Sequence, residues 1–135
     1  MTVSNYSHGK HRKGMLLAHI VFVTKYRRAC LVNECADACK QTLISSAKML
    51  GIEVKEIEAD KDHVHMLIDY PPTIAVSTII KYLKQKSTNS LWQNHNEYLQ
   101  KYYWQRRILW SSGYFYCSIG EASAETIRQY IRSQG

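Results

Sequence analysis

The order of elements along this chain predicts a ferredoxin-like α+β fold, an antiparallel sheet built as β-α-β-β-α-β with helices on one face and a further helix at the C-terminus. Two observations predict it. Apolar runs rich in β-branched residues alternate along the chain with segments whose apolar residues recur every three or four positions. Gly51 and the pair Pro71–Pro72 punctuate those segments where helix or strand must stop.

Residues 1–13 carry Ser, Asn, Gly and basic residues without periodicity, as expected of a mobile basic arm. The run MLLAHIVFVTK from Met15 to Lys25 reads as a strand buried on at least one face. Asn33 is positioned as an N-cap, and Ala36, Cys39, Leu43, Ala47 and Leu50 then form a helical stripe that Gly51 ends. Residues 52–59 alternate as a second strand. In the third, HVHMLID at 63–69, Val64, Met66 and Ile68 share the core face and His63, His65 and Leu67 the other. Ile74 to about Ser90 is a second helix, with Val76, Ile80 and Leu83 inward and Lys81, Lys84 and Lys86 in its latter half. Residues 92–112 show no clean period and read as loop with a short strand near Ile108–Trp110. Residues 114–120 read as a strand, Ser123 as an N-cap, and 124–134 as the last helix.

At 135 residues the chain is expected to form one domain, 1–135, with a core that needs neither disulfide nor structural metal. No apolar run is long enough to span a membrane. Met1 to Lys13 lacks the apolar stretch of a secretory leader, so a cytoplasmic location is expected. Cys30, Cys35, Cys39 and Cys117 contain no C-x-x-C pair and read as reduced thiols rather than zinc ligands. The net charge of +7 points to an anionic partner, and ten tyrosines and three tryptophans among the cations suit unpaired nucleic acid bases. A merely solvated basic surface fits the charge alone equally well.

His63 and His65, two apart on a strand, point the same way and are placed to grip one divalent cation. Two surface histidines on an exposed sheet face would give the same pattern. On the last helix, Tyr130 and Gln134 stack four residues apart beside the stripe of Ile127 and Ile131, which should pack on the sheet. An amphipathic helix with a tyrosine at the core's edge would look the same. Taken together, the two features describe a phosphodiester-breaking site. His63, His65 and Gln134 would hold a metal that polarises the scissile phosphate, and the Tyr130 hydroxyl would attack phosphorus. Phenol ionises near pH ~10, so the nucleophile needs the metal's field.

Four blocks, HIVFVTKYRR (19–28), KDHVHMLIDYPP (61–72), LWSSGYFYCSIG (109–120) and ETIRQYIRSQ (125–134), resemble in order and spacing the single-tyrosine HUH transposases of small bacterial and archaeal insertion sequences, the IS200-like family. The likeness covers roughly residues 15–134. The family's His-hydrophobic-His motif falls on His63, Val64 and His65, its nucleophile on Tyr130 and its third metal ligand on Gln134. The resemblance implies a homodimer that uses Mg2+ or Mn2+, cuts single-stranded DNA near hairpins, and forms a 5′-phosphotyrosine. It also implies active sites shared between subunits, with Gly120 to Ser123 as the hinge of the tyrosine helix. One departure is Gln85, where many relatives carry a small residue after Leu83-Lys84.

Lys25, Arg27 and Arg28, at the end of the first strand, read as phosphate contacts, as do Arg106 and Arg107, and Lys81, Lys84 and Lys86 are further DNA-binding candidates. His19 reads either as a hydrogen-bonded structural histidine or as part of the site's lining. Tyr102, Tyr103 and Trp104 suit base stacking, core packing or a dimer contact. Two other functions stay open at this stage: a domesticated or inactive relative that binds hairpins without cutting, and an unrelated metal-binding protein of the same fold.

Overall fold

A computed structural model describes residues 16–118 and 124–134. The arm expected over residues 1–13, the hinge at Gly120–Ser123 and the cap at Ser123 lie outside them. The elements are β1 (Leu16–Val23), α1 (Asn33–Met49), β2 (Glu53–Asp60), β3 (His63–Tyr70), α2 (Val76–Asn94), α3 (Asn96–Tyr103), β4 (Phe115–Ser118) and α4 (Ala124–Ser133), with a short 3-10 turn at Lys25–Arg27 after β1. The four strands form one antiparallel sheet in the order β2-β3-β1-β4, as the ferredoxin-like reading requires.

Strand alternation divides the sheet into two faces. Ala18, Ile20 and Phe22 of β1 and Val64, Met66 and Ile68 of β3 are buried in the main core with Cys39 and Leu43 of α1 and Ile79, Ile80 and Leu83 of α2. Val21 and Val23 of β1 point the other way. There they form a second, smaller cluster with Ile131 of α4, against which Phe115 and Tyr130 pack. The terminal helix therefore covers the histidine face. Ile127, expected beside Ile131, has its side chain outside the described residues.

Several local expectations are corrected. α1 buries Cys35 rather than Ala36, a rotation of one residue that leaves Cys39, Leu43 and Ala47 inward. Asn33 does not cap: Val32 takes that position, and Asn33 follows in the left-handed region at φ 52°. α2 starts at Val76 and runs on to Asn94, because Leu91 and Trp92 are buried and the Trp92 indole N–H donates to the Ile108 carbonyl at 2.8 Å. The stretch read as loop contains α3, held by Leu99 and Tyr103, four apart and both buried. Near Ile108–Trp110 a single bridge, Thr24 to Trp110, replaces the expected strand.

Candidate active site

β3 presents His63 and His65 on the face covered by α4, and their cross-strand partners on β1 are Val23 and Val21. These are the valines that receive Ile131. Burial of one isoleucine between the two valines thus seats α4 beside the histidines, on the β4 side of β1.

His63 is oriented from behind. Its Nδ1 lies 3.0 Å from Oδ1 of Asp62, which, as a carboxylate, accepts the proton of that nitrogen and leaves Nε2 with a free lone pair. Burial works against the charge on Asp62. The hydrogen bonds from His63 and Arg27 outweigh it and hold the carboxyl below its usual range. Arg27 grips Oδ2 through Nε at 3.1 Å and Nη2 at 3.0 Å. A carboxylate–histidine pair of this kind is a common support behind a metal ligand.

His65 has a different neighbour. Its Nε2 lies 2.9 Å from Nδ1 of His19, with the two rings 5.0 Å apart. Burial lowers the pKa of both, with Glu56 opposing the shift at each. Neutral imidazoles are the form that ligates metal. A cation reaching His65 would meet its Nδ1, or its Nε2 once His19 lets go. Of the two readings left open for His19, the structure therefore supplies both: the ring is hydrogen-bonded, and its partner is a site residue.

Tyr130 and Gln134 come together over Gly113. A Cβ on that glycine would lie 3.5 Å from the Tyr130 hydroxyl and 3.9 Å from Oε1 of Gln134. The Tyr130 ring packs on Phe115 at 5.6 Å between centroids. Its hydroxyl is buried and has no hydrogen-bond partner among the described residues, and burial raises its pKa. A buried hydroxyl without a partner costs about 1–3 kcal/mol. Beneath it, Lys84 reaches from α2 to donate to the carbonyls of Ser111 and Gly113, both at 2.8 Å.

The residues fit a divalent cation in donor chemistry: two imidazoles, one already oriented by a carboxylate, and an amide oxygen on the helix packed on the same sheet face. No group of three or more His, Cys, Asp or Glu able to hold a metal occurs among the described residues.

The basic candidates divide by surroundings. Arg27 is committed to Asp62 and Lys84 to the carbonyls under Tyr130. Arg28 is exposed with its guanidinium over the Tyr26 ring, half-exposed Lys25 lies over the same ring, and Arg106 donates to the Tyr26 hydroxyl at 3.2 Å. Arg107 is exposed above Trp92. Lys81 and Lys86 are exposed on α2, which packs on the sheet face away from the histidines. Asp62 and Gly113 are supporting residues that the sequence does not point out, and Lys84, a DNA-binding candidate in the sequence, here donates to the carbonyls of Ser111 and Gly113. Asp62 alone had a signal, its place immediately before the histidine pair.

Residues 13–134 match a protein-family model described as transposase, IS200 like. Over 116 residues the chain is 34% identical to the transposase for insertion sequence element IS200 of Salmonella typhimurium, covering 86% of this chain and 74% of that one. It is 32% identical to the ISDra2 transposase TnpA of Deinococcus radiodurans, over 86% of this chain and 81% of the relative. The crystal structure of a protein from Deinococcus radiodurans R1 assigned as a transposase superposes with a TM-score of 0.83 at 30% identity, over 93% of this chain and 95% of that one. A REP-associated tyrosine transposase solved with a REP hairpin shares the fold, with a TM-score of 0.58 at 13% identity over 90% of this chain and 64% of that one.

Proposed function

The chain belongs to the IS200-like transposase family, and from that premise we propose that it cuts and rejoins single-stranded DNA at insertion-sequence ends through a 5′-phosphotyrosine at Tyr130. The observation that carries the reading is the Tyr130 hydroxyl: buried, without a hydrogen-bond partner among the described residues, and beside Gln134 on the helix that packs on the same sheet face as His63 and His65.

The chemistry balances without an energy source. As the Tyr130 oxygen bonds to phosphorus, the P–O3′ bond breaks, the phenol loses a proton and the 3′ oxygen gains one. The reverse step, with another strand's 3′-OH as attacker, rejoins DNA and releases the tyrosine. His63, His65 and Gln134 are the residues that would hold Mg2+ or Mn2+. When bound, the ion supplies charge neutralisation on the phosphate and eases loss of the phenol's proton. Asp62 keeps the His63 tautomer fixed, and Lys84 keeps the Ser111–Gly113 segment in place under the nucleophile.

The family resemblance further supports a hairpin-bearing substrate, a homodimer with shared sites, a hinge at Gly120–Ser123 and a cytoplasmic setting. No helix among the described residues is long and apolar enough to cross a membrane. The test is incubation with Mn2+ and single-stranded oligonucleotides carrying the flanking element ends. A denaturation-resistant DNA–protein adduct is expected, absent in Tyr130→Phe. Persistence of the adduct in that variant would remove Tyr130 as nucleophile. Tight hairpin binding with no adduct under any divalent ion would favour the second reading, a binder that no longer cuts.

A further inference from the structure

Away from the histidine face, the turn after β1 and the end of α3 enclose a cleft of about 460 Å³ lined by Tyr26, Arg28, Lys101, Tyr102 and Trp104 among others. Trp104 is 80% exposed and Tyr26 51%, whereas the other two tryptophans, Trp92 and Trp110, are 1% and 8% exposed. Both exposed rings stand on backbone in the left-handed region, with φ 58° at Tyr26 and 57° at Trp104. Such conformations cost about 1–3 kcal/mol in residues with a side chain and persist where the surroundings enforce them.

The surroundings do so here. Tyr103, next to Trp104, is buried and donates from its hydroxyl to the Lys25 carbonyl, next to Tyr26, at 2.8 Å. The Lys25 amide in turn bonds the Leu109 carbonyl at 2.8 Å, and Arg106 bonds the Tyr26 hydroxyl. The two segments are pinned together, and the pinning holds the two rings out at the rim. Cations stand around them: Lys25 lies 5.4 Å and Arg28 5.6 Å from the Tyr26 ring centre, and Lys101 is exposed on the wall. Among the described residues, no acidic side chain lines the cleft.

A flat apolar face with an anionic group beside it matches both features at once. We propose that the Tyr26–Trp104 cleft is a stacking subsite for one unpaired nucleobase of a DNA strand, whose adjoining phosphate is met by Arg28 and Lys101. The subsite lies outside the His63–His65–Tyr130–Gln134 constellation. It rests on the single-stranded DNA reading above and adds a second point of attachment for the strand. Because every base has an aromatic face, the contribution is independent of sequence. A physical link joins the two regions: Arg27, in the turn that carries Tyr26, is the residue that grips Asp62 behind His63.

The test is binding of fluorescein-labelled dT12 in EDTA, followed by anisotropy and by intrinsic tryptophan emission. Wild type is expected to bind with quenching, because Trp104 is the exposed indole. Trp104→Phe should keep the affinity and lose most of the quench. Trp104→Ala should weaken binding about 5- to 150-fold, the range found when a base-stacking aromatic is truncated. Trp104→Gly, which relieves the left-handed backbone, serves as the variant whose fold is secure and should weaken binding equally. Unchanged dT12 affinity in the Ala and Gly variants overturns the proposal. So does conversion of a dimer to a monomer at unchanged affinity, which would assign the cleft to a second copy of the chain. No strand cleavage is needed for this readout, so absence of a Tyr130 adduct would defeat the transposition chemistry and leave the subsite standing.

Discussion

His63 donates from Nδ1 to the buried carboxylate of Asp62 at 3.0 Å, so the tautomer of the candidate metal ligand is set by the residue immediately before it in the chain. Asp62 is 5% exposed and has Arg27 as its other partner. Its replacement therefore frees the imidazole to turn and to change tautomer. Asp62→Ala is expected to weaken Mn2+ binding about 10- to 100-fold, the usual cost of losing such a support. Isothermal titration of wild type and variant, with circular dichroism to confirm the fold, checks this. Equal affinity would show that the carboxylate serves only Arg27.

Tyr130→Phe removes a buried hydroxyl that has no partner among the described residues. Removing the proposed nucleophile's hydroxyl should not weaken the fold. We expect unchanged stability or a gain of up to about 1 kcal/mol in urea unfolding, together with complete loss of the covalent adduct. A loss of stability would mean that the hydroxyl has a partner in solution.

Lys84 supports the floor beneath Tyr130 and Gln134 through the carbonyls of Ser111 and Gly113. Burial lowers its pKa to about 8 from 10.5. Between those pH values the unfolded chain binds more protons than the folded one, so this group adds stability as pH rises. Urea midpoints at pH 7.5, 9 and 10.5 should therefore show the difference between wild type and Lys84→Met growing in favour of wild type. The variant should also form adduct more slowly at pH 7.5, since the hydrogen bonds from α2 to the carbonyls of Ser111 and Gly113 are then lost. A pH-independent difference would place the ammonium in water.

Three thiols belong to the core. Burial pushes Cys30 up to about 11 and Cys35 up to about 12, and Cys39 higher still. Thiolate is the reactive form, so iodoacetamide at pH 8 should leave all three unmodified until denaturant is added. The unfolded chain ionises its thiols near 9.0 while the folded chain holds the protons, so these groups withdraw stability as pH rises above that value. Mass spectrometry of the labelled protein gives the result directly, and rapid native labelling of Cys39 would contradict the packing of α1.

Where local sequence decides conformation, the sequence was informative. Period-two burial put Val64, Met66 and Ile68 inward and His63 and His65 on the opposite face, and β3 has that arrangement. The four-residue spacing of Tyr130 and Gln134 survives as two side chains over one glycine. α3 is not legible in the sequence even though Leu99 and Tyr103 carry a helical spacing, because its eight residues make only about two turns and the surrounding aromatics obscure the stripe. Asn33 was misread because its type favours a cap, whereas Val32 occupies that position.

Strand alternation and helix periodicity act over a few residues, so the chain by itself determined its elements apart from α3, the face of each histidine and the pairing of phenol with amide. Contacts across long separations are decided only when the sheet assembles. Those include His19 against His65, 46 residues apart, Arg27 behind Asp62, and Lys84 under Gly113, 29 residues on. They also include the choice of Val21 and Val23 as the seat for Ile131, and the exposure of Trp104 while Trp92 and Trp110 are covered. The reason is that burial and desolvation depend on which surfaces meet, and no spacing along the chain encodes that.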